Sequence, residues 1–255
     1  MEEAFTVGRA AGIPVILSHH KVAGRRNHGR SRETLALLNA VSGRQPVGVD
    51  AYPYTAGATE LRMDAVETAD RVLITFSRAV PEATGRDLAD LAREWEVPVA
   101  EAVRRLQPAG AVYFLMDEAD VRRILAWPGT MIGSDSIPSE VHPHPRLWGT
   151  FPRVLGHYGR ELDLFAPEEV VRRMTSLPAE RFGLRDRGVV REGAYADLAV
   201  LDEGRVADRS TFEAPIAPAA GIELVLVNGV AVWQQGAPTG SRPGRVLRRG
   251  ELSGW

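Results

Sequence analysis

The chain has 255 residues, 44% apolar and 25% charged, with a formal net charge of −2; it is long enough for one barrel-sized domain or two smaller ones, and its composition excludes general disorder. Near-neutral charge with dispersed arginines leaves no electrostatic footprint for nucleic acid, no apolar run approaches the ~18 residues of a membrane span, and the acidic start MEEAFTVGRAAG, unlike a basic leader, points to the cytoplasm. Zero cysteines exclude disulfides, thiolate zinc sites and a cysteine nucleophile, so any metal rests on Asp, Glu, modified Lys or the six histidines His19, His20, His28, His142, His144 and His157.

Residues 2–11 read as a short helix stopped by Gly12, and 13–18 as a strand that runs into His19, His20 and Lys21. SRETLALLNAVSG offers Ser31 as N-cap, apolar Leu35, Leu38 and Val41 at helical spacing, and Gly43 as C-cap. A second strand over 46–51 enters Tyr52-Pro53-Tyr54, completing a strand, helix, strand unit that favours a parallel sheet. In such sheets chemistry collects where strands end. His19, His20, Lys21, Asp50 and Tyr52 all fall there.

Residues 59–109 are charged and helical in pattern, with GRDLADLAREW and PVAEAVRRLQ as the clearest helices. A strand over 111–116 and a helix over 118–127 lead to TMIGSD, a third parallel strand with Ser134 and Asp135 at its carboxyl end. PEEVVRRMTSLPAERFG supplies a helix and a helical turn. From about Gly188 the pattern turns to β: GVVREGAYADLAVLD, then two apolar runs joined by Asn228-Gly229, a strong hairpin signal, then a C-terminal tail from Thr239.

Adjacent histidines on a strand point to opposite faces, so one can ligate a metal while the other is structural, although both could equally be hydrogen-bonded structural residues. Asp135 sits at a strand end with no basic residue near it in sequence; it reads as a general base or as a turn aspartate. His142 and His144 mimic an H-x-H metal pair, but Pro143 and Pro145 stiffen a loop there, and the pair reads as structural. Arg146 suits bidentate recognition of a planar anion, against the alternative of a surface ion pair. Tyr52 can hydrogen-bond a ligand or pack on Pro53.

Taken in order, LSHHK, GRSRETLAL, DAYPYTAG, LQPAGAVYFLMDE, MIGSD, HPHPRLWGTFPRVLGHY, LPAERFGL, REGAYADLAVLD, GIELVLVNGVAVW and RPGRVLRR resemble the C-terminal half of the D-aminoacylases, the N-acyl-D-amino-acid deacylases of the amidohydrolase superfamily. The resemblance implies an α/β fold: the C-terminal part of a distorted (β/α)8 barrel over 1–187, with an inserted helical, lid-like segment over about 60–110, and part of a small β-domain over 188–255. It implies zinc-dependent hydrolysis of the amide of an N-acyl-D-amino acid. His19 matches a zinc ligand on the sixth barrel strand, with His20 structural. Asp135 matches the aspartate ending the eighth strand, general base toward the attacking water and then proton donor to the leaving amine. Lys21, Tyr52 and Arg146 match substrate-carboxylate positions, and Met116 an acyl-pocket position.

Two departures stand out. Ala58 replaces a serine usual after YPY, and Ser136 replaces the glycine usual after the aspartate. The resemblance also implies that the other zinc ligands, an H-x-H, a bridging Cys and a fifth-strand His, lie upstream of the matching stretch. The zinc ligand set of this chain is therefore expected to be incomplete, and the expected partners are the small-molecule substrate and a complementary N-terminal chain. An inactive fragment and a cyclic-amide hydrolase are the other open readings; HHK and HPHPR fit a linear acyl amino acid better than a cyclic amide.

Overall fold

The computed structural model of the chain describes residues 1–136 and 141–247. The last residues of the expected C-terminal tail, 248–255, lie outside the described residues, and the RPGRVLRR string runs into them.

Helix α1 (Glu2–Ala11) ends at Gly12, whose φ of 64° closes it in the left-handed conformation a glycine adopts freely. It crosses strand β1 (Val15–Leu17) so closely that a Cβ on Gly8 would lie 2.3 Å from Val15 Cγ2. Helix α2 (Ser31–Ser42) then returns the chain to β2 (Val47–Ala51), parallel to β1 with Ile16 opposite Gly48. On the other side of β2 lies β6 (Thr130–Ile132), again parallel, with Asp50 opposite Met131. The order β1-β2-β6 therefore places three carboxyl ends together. Phe5, Leu38, Val47 and Val49 form one core under this sheet, and Ala51, Val121, Ile124, Leu125, Ile132 and Tyr158 belong to another. Each such buried side chain contributes roughly 1.5–3 kcal/mol.

The segment expected to be helical proves to be a mixed α/β unit. β3 (Ala56–Glu60) and β4 (Arg71–Ser77) flank β5 (Ala109–Phe114) in an antiparallel sheet of order β3-β5-β4. Short α3 (Met63–Val66) links β3 to β4, and α4 (Leu88–Glu94) and α5 (Val99–Leu106) bury Leu88, Leu91, Val103 and Leu106 against the sheet through Ile74, Ala111 and Tyr113. The helical pattern of 86–107 was legible; the run RVLITFS, rich in β-branched residues, carries the strand that the surrounding charge obscured.

Helix α6 (Glu118–Ala126) precedes β6, and α7 (Arg146–Arg153) is the next helix in the chain. α7 continues into a π-helical stretch, Val154–Glu161, with Leu162 N–H bonded to the His157 carbonyl. Pro152 inside α7 hides this helix from a sequence reading. α8 (Pro167–Met174) and α9 (Ser176–Phe182) complete the helices. A separate antiparallel sheet of order β10-β9-β8-β7 closes the chain: β7 (Leu198–Leu201), β8 (Ile222–Val227), β9 (Val230–Gln234) and β10 (Ala237–Pro238). Asn228 and Gly229 join β8 to β9 with φ of 48° and 80°, as a tight hairpin requires. No helix among the described residues is long and apolar enough to cross a membrane.

Ser31 is the first residue of α2 instead of its N-cap, and its N–H groups are satisfied from α6. Asp120, with a side chain 1% exposed, accepts the backbone N–H of Gly29 at 2.6 Å and of Ser31 at 3.1 Å, and Arg123 Nη2 at 2.7 Å. Burial would raise its pKa, but the hydrogen bonds from Ser31, Gly29 and Arg123 outweigh it and pull the carboxyl down to about 2. Because the folded value lies below the unfolded one, this stabilisation is present above the unfolded pKa and is lost as pH falls through the folded one. Asp120→Asn should cost about 2 kcal/mol in urea unfolding at pH 7, with the gap to the parent chain closing toward pH 2. A gap of the same size at both pH values would refute the assignment.

Candidate active site

The carboxyl ends of β1, β2 and β6 open into a cleft of about 980 Å³. His19, Lys21, Tyr52, Asp135 and Arg146 all line it, so the residues matched to metal, general-base and substrate-carboxylate positions share one space. The opposite wall comes from the antiparallel sheet: Gly57, Ala58, Thr59, Glu60, Phe76 and Arg78. Ala58 brings a methyl group where its hydroxyl-bearing alternative would have brought a polar contact.

β1 delivers His19 on a backbone with φ of 44°, and β6 delivers Asp135 with φ of 49°. Left-handed backbone at non-glycine residues is uncommon and clusters at functional sites. The His19 turn is held by Asp50 at the end of β2, whose Oδ1 accepts the His19 N–H at 2.7 Å and whose carbonyl accepts the His20 N–H at 2.8 Å. Asp50, placed at a strand end in the sequence reading without a role, is thus a site-shaping residue.

Lys21 Nζ donates to His19 Nδ1 at 2.7 Å and to the His19 carbonyl at 2.8 Å, and lies 5.5 Å from the Tyr52 ring centroid. It is no solvated loop lysine. Burial lowers its pKa, Asp135 and Asp50 oppose that, and Arg146 adds to it. His20 turns the other way. Its Nε2 donates to Thr34 Oγ1 at 3.1 Å, a hydroxyl that itself donates to the Ser31 carbonyl. Burial, and then the Lys21 charge, lower its pKa to about 4, so it is a neutral structural residue, as expected.

Arg146 places a charge deep in the site, with its side chain 3% exposed. Nη1 lies 2.9 Å from Asp135 Oδ2, Nη2 donates to the Ala58 carbonyl at 3.3 Å, and the guanidinium carbon sits 4.6 Å from the Tyr52 ring centroid. Asp135 therefore has a cationic neighbour after all, supplied from eleven positions down the chain. Arg146 Nε and the Tyr52 hydroxyl are buried without a hydrogen-bond partner, which leaves donors available at the cleft. Burial pushes the Tyr52 pKa up, against the pull of Arg146, so the phenol keeps its proton at neutral pH. Met116 does not join them. It packs in the core beside His20, Ala51 and Val121, lining a separate small void.

His142 and His144 are not a metal pair. His142 Nε2 donates to the Phe212 carbonyl at 2.7 Å; His144 is 2% exposed and uses both ring nitrogens within the protein. For a metal, His19 offers one imidazole. Among the described residues no group of three or more His, Cys, Asp and Glu could hold an ion, whereas a catalytic zinc takes about three protein ligands. The described residues alone do not fit a complete zinc site.

In chemical terms the cleft presents an ammonium, a guanidinium and a phenol suited to a carboxylate, beside a carboxylate suited to proton transfer. The chain is 55% identical over 249 residues to a D-aminoacylase of Alcaligenes xylosoxydans xylosoxydans, covering 98% of this chain and 51% of the relative. It is 48% identical to an N-acyl-D-aspartate deacylase of the same organism, covering 100% of this chain and 51% of the relative. An N-acyl-D-glutamate deacylase from Bordetella bronchiseptica, solved with zinc and a phosphonate mimic of the tetrahedral intermediate, superposes with a TM-score of 0.93 at 48% identity, over 97% of this chain and 52% of that one. The chain spans about half the length of the curated relatives it matches. Residues 5–233 match the model of the amidohydrolase family, and the chain belongs to that family.

Proposed function

We propose that this chain supplies the substrate-orienting and proton-transfer half of a zinc-dependent N-acyl-D-amino-acid deacylase. The observation that carries the reading is the convergence of His19, Lys21, Tyr52, Asp135 and Arg146 on one cleft at the carboxyl ends of a parallel sheet. The D-aminoacylase and deacylase relatives supply the substrate class, an N-acyl-D-amino acid, and the zinc of the inhibited relative supplies the metal.

In this reading Lys21, Arg146 and Tyr52 hold the substrate carboxylate, fixing the amide beside Asp135. Positioning of this kind lowers the barrier without taking part in bond making. Asp135 takes a proton from the attacking water and returns it to the departing nitrogen, so that the amide C–N bond breaks to a carboxylic acid and a free D-amino acid. Arg146 has two tasks, since the ion pair with Asp135 and the clamp on the substrate use the same guanidinium. His19 contributes one metal ligand, and the remaining ligands come from a complementary N-terminal half. The coverage of about half of each relative supports this, as do the outer edges of β1 and β6, which carry no strand partner among the described residues.

Produced together with the N-terminal half of the Alcaligenes D-aminoacylase, the chain should release a D-amino acid from its N-acetyl derivative in a zinc-dependent reaction, and alone with zinc it should not. Turnover by the isolated chain that Asp135→Asn abolishes would overturn the need for further ligands; absence of zinc-dependent turnover in the assembled pair would favour an inert fragment. Within the active pair, Asp135→Asn should lower kcat by about 10²–10⁴-fold with little change in KM. Arg146→Lys should raise KM about tenfold for want of the planar fork.

A further inference from the structure

The HPHP stretch is the most distinctive part of the sequence that the proposed chemistry leaves unused. β3 is an edge strand: its partner β5 occupies one side, and the Thr55 carbonyl just before it accepts from Leu115 and Met116. Alternation along a strand sends the carbonyls of Ala56 and Ala58 to the other, unpaired side. There His144 Nε2 donates to the Ala56 carbonyl at 2.9 Å, and Arg146 Nη2 donates to the Ala58 carbonyl at 3.3 Å. The other ring nitrogen, His144 Nδ1, accepts the backbone N–H of Arg146 at 2.9 Å. One imidazole thus ties the edge of β3 to the first residue of α7, and the guanidinium reaches the next outward carbonyl of the same strand.

These contacts define the tautomer. Nδ1 must be bare to accept the Arg146 N–H, so Nε2 carries the proton; a second proton would put two donors face to face in a ring 2% exposed. Tyr54 and Phe212 hold the ring by edge contacts with centroids 5.1 Å away in both cases. The residue is locked in position and in protonation state.

We infer that His144 is a positioning residue: its Nε2–H tautomer, bridging the β3 edge and the Arg146 backbone, sets the Arg146 guanidinium in the cleft. The role for the clamp rests on the deacylase reading; the positioning itself does not.

Two readouts separate these. Nitrogen-resolved NMR of the chain reports solvent exchange at Arg146 Nε–H, and calorimetry compares N-acetyl-D-leucine with its carboxamide. His144→Ala should speed the Arg146 exchange about tenfold or more and reduce the preference for the free carboxylate about tenfold, since small misplacements of a positioned group weaken it steeply. His144→Asn, whose side-chain oxygen can still accept the N–H two residues on, should restore all but about threefold of both, the part owed to the lost Ala56 bond. A His144→Ala chain whose β7–β10 amide resonances are unchanged and whose Arg146 exchange matches the parent would overturn the inference. If that variant fails to fold, His144→Asn decides, and exchange identical to the parent overturns it. If the parent shows no preference for carboxylate over carboxamide while His144→Ala still loosens Arg146, the positioning stands and the deacylase reading falls.

Discussion

A guanidinium buried to 3% exposure is the constraint around which the cleft is organised. An unpaired buried charge costs several kcal/mol, so the groups around Arg146 must answer to it. Asp135 gives the counter-charge at 2.9 Å, the Ala58 carbonyl a hydrogen bond, and Tyr52 the face of an aromatic ring. The same charge helps keep its near neighbour His144 neutral, after burial itself. It also pushes down the Lys21 ammonium. Removing Arg146 would therefore do more than delete a contact: it would change the electrostatics of each remaining group in the site.

That charge can sit where it does because two sheets share the cleft. The parallel sheet brings three strand ends to one level, placing His19, Tyr52 and Asp135 within a single space. The antiparallel sheet of 56–114 contributes the facing wall and, through the free edge of β3, the carbonyls that fix the HPHPR loop. An edge strand normally needs protection from foreign pairing. Here the protecting loop also carries the cleft's principal cation, so edge protection and site construction are one arrangement.

How much of this could be read in advance depends on the range of the interactions involved. The ends of β1, β2 and β6 were legible because short apolar runs stopped by polar residues leave a local trace, and His19, Lys21, Tyr52 and Asp135 follow from them. The hairpin at Asn228-Gly229 was legible for the same reason. Non-local features were not. The cap of α2 comes from Asp120, 89 positions away from Ser31, so Ser31 looked like its own cap. Strand β4 lies among charged helices that mask its β-branched run, and it is stabilised by long-range pairing with β5. Helix α7 contains Pro152 and follows two prolines, so its composition argues for a loop while burial of Thr150 and Val154 holds it helical.

The charged groups at the cleft are paired with one another. Lys21 and Arg146 supply two positive charges, and Asp50 and Asp135 supply two negative ones. Lys21 spans His19 Nδ1 and carbonyl, Arg146 pairs with Asp135, and Asp50 holds the His19 turn through its N–H. These groups thus satisfy one another, and each of those pairings has an exposed or cleft-facing partner. On the proposed deacylase reading, a substrate carboxylate entering beside Arg146 would compete with Asp135 for the guanidinium. Its arrival would free the Asp135 carboxylate for proton transfer at the moment when the amide is in place, which couples recognition of the acid group to activation of the base. On that reading, placing both functions on a single ion pair makes a free carboxylate part of the chemistry as well as of the binding.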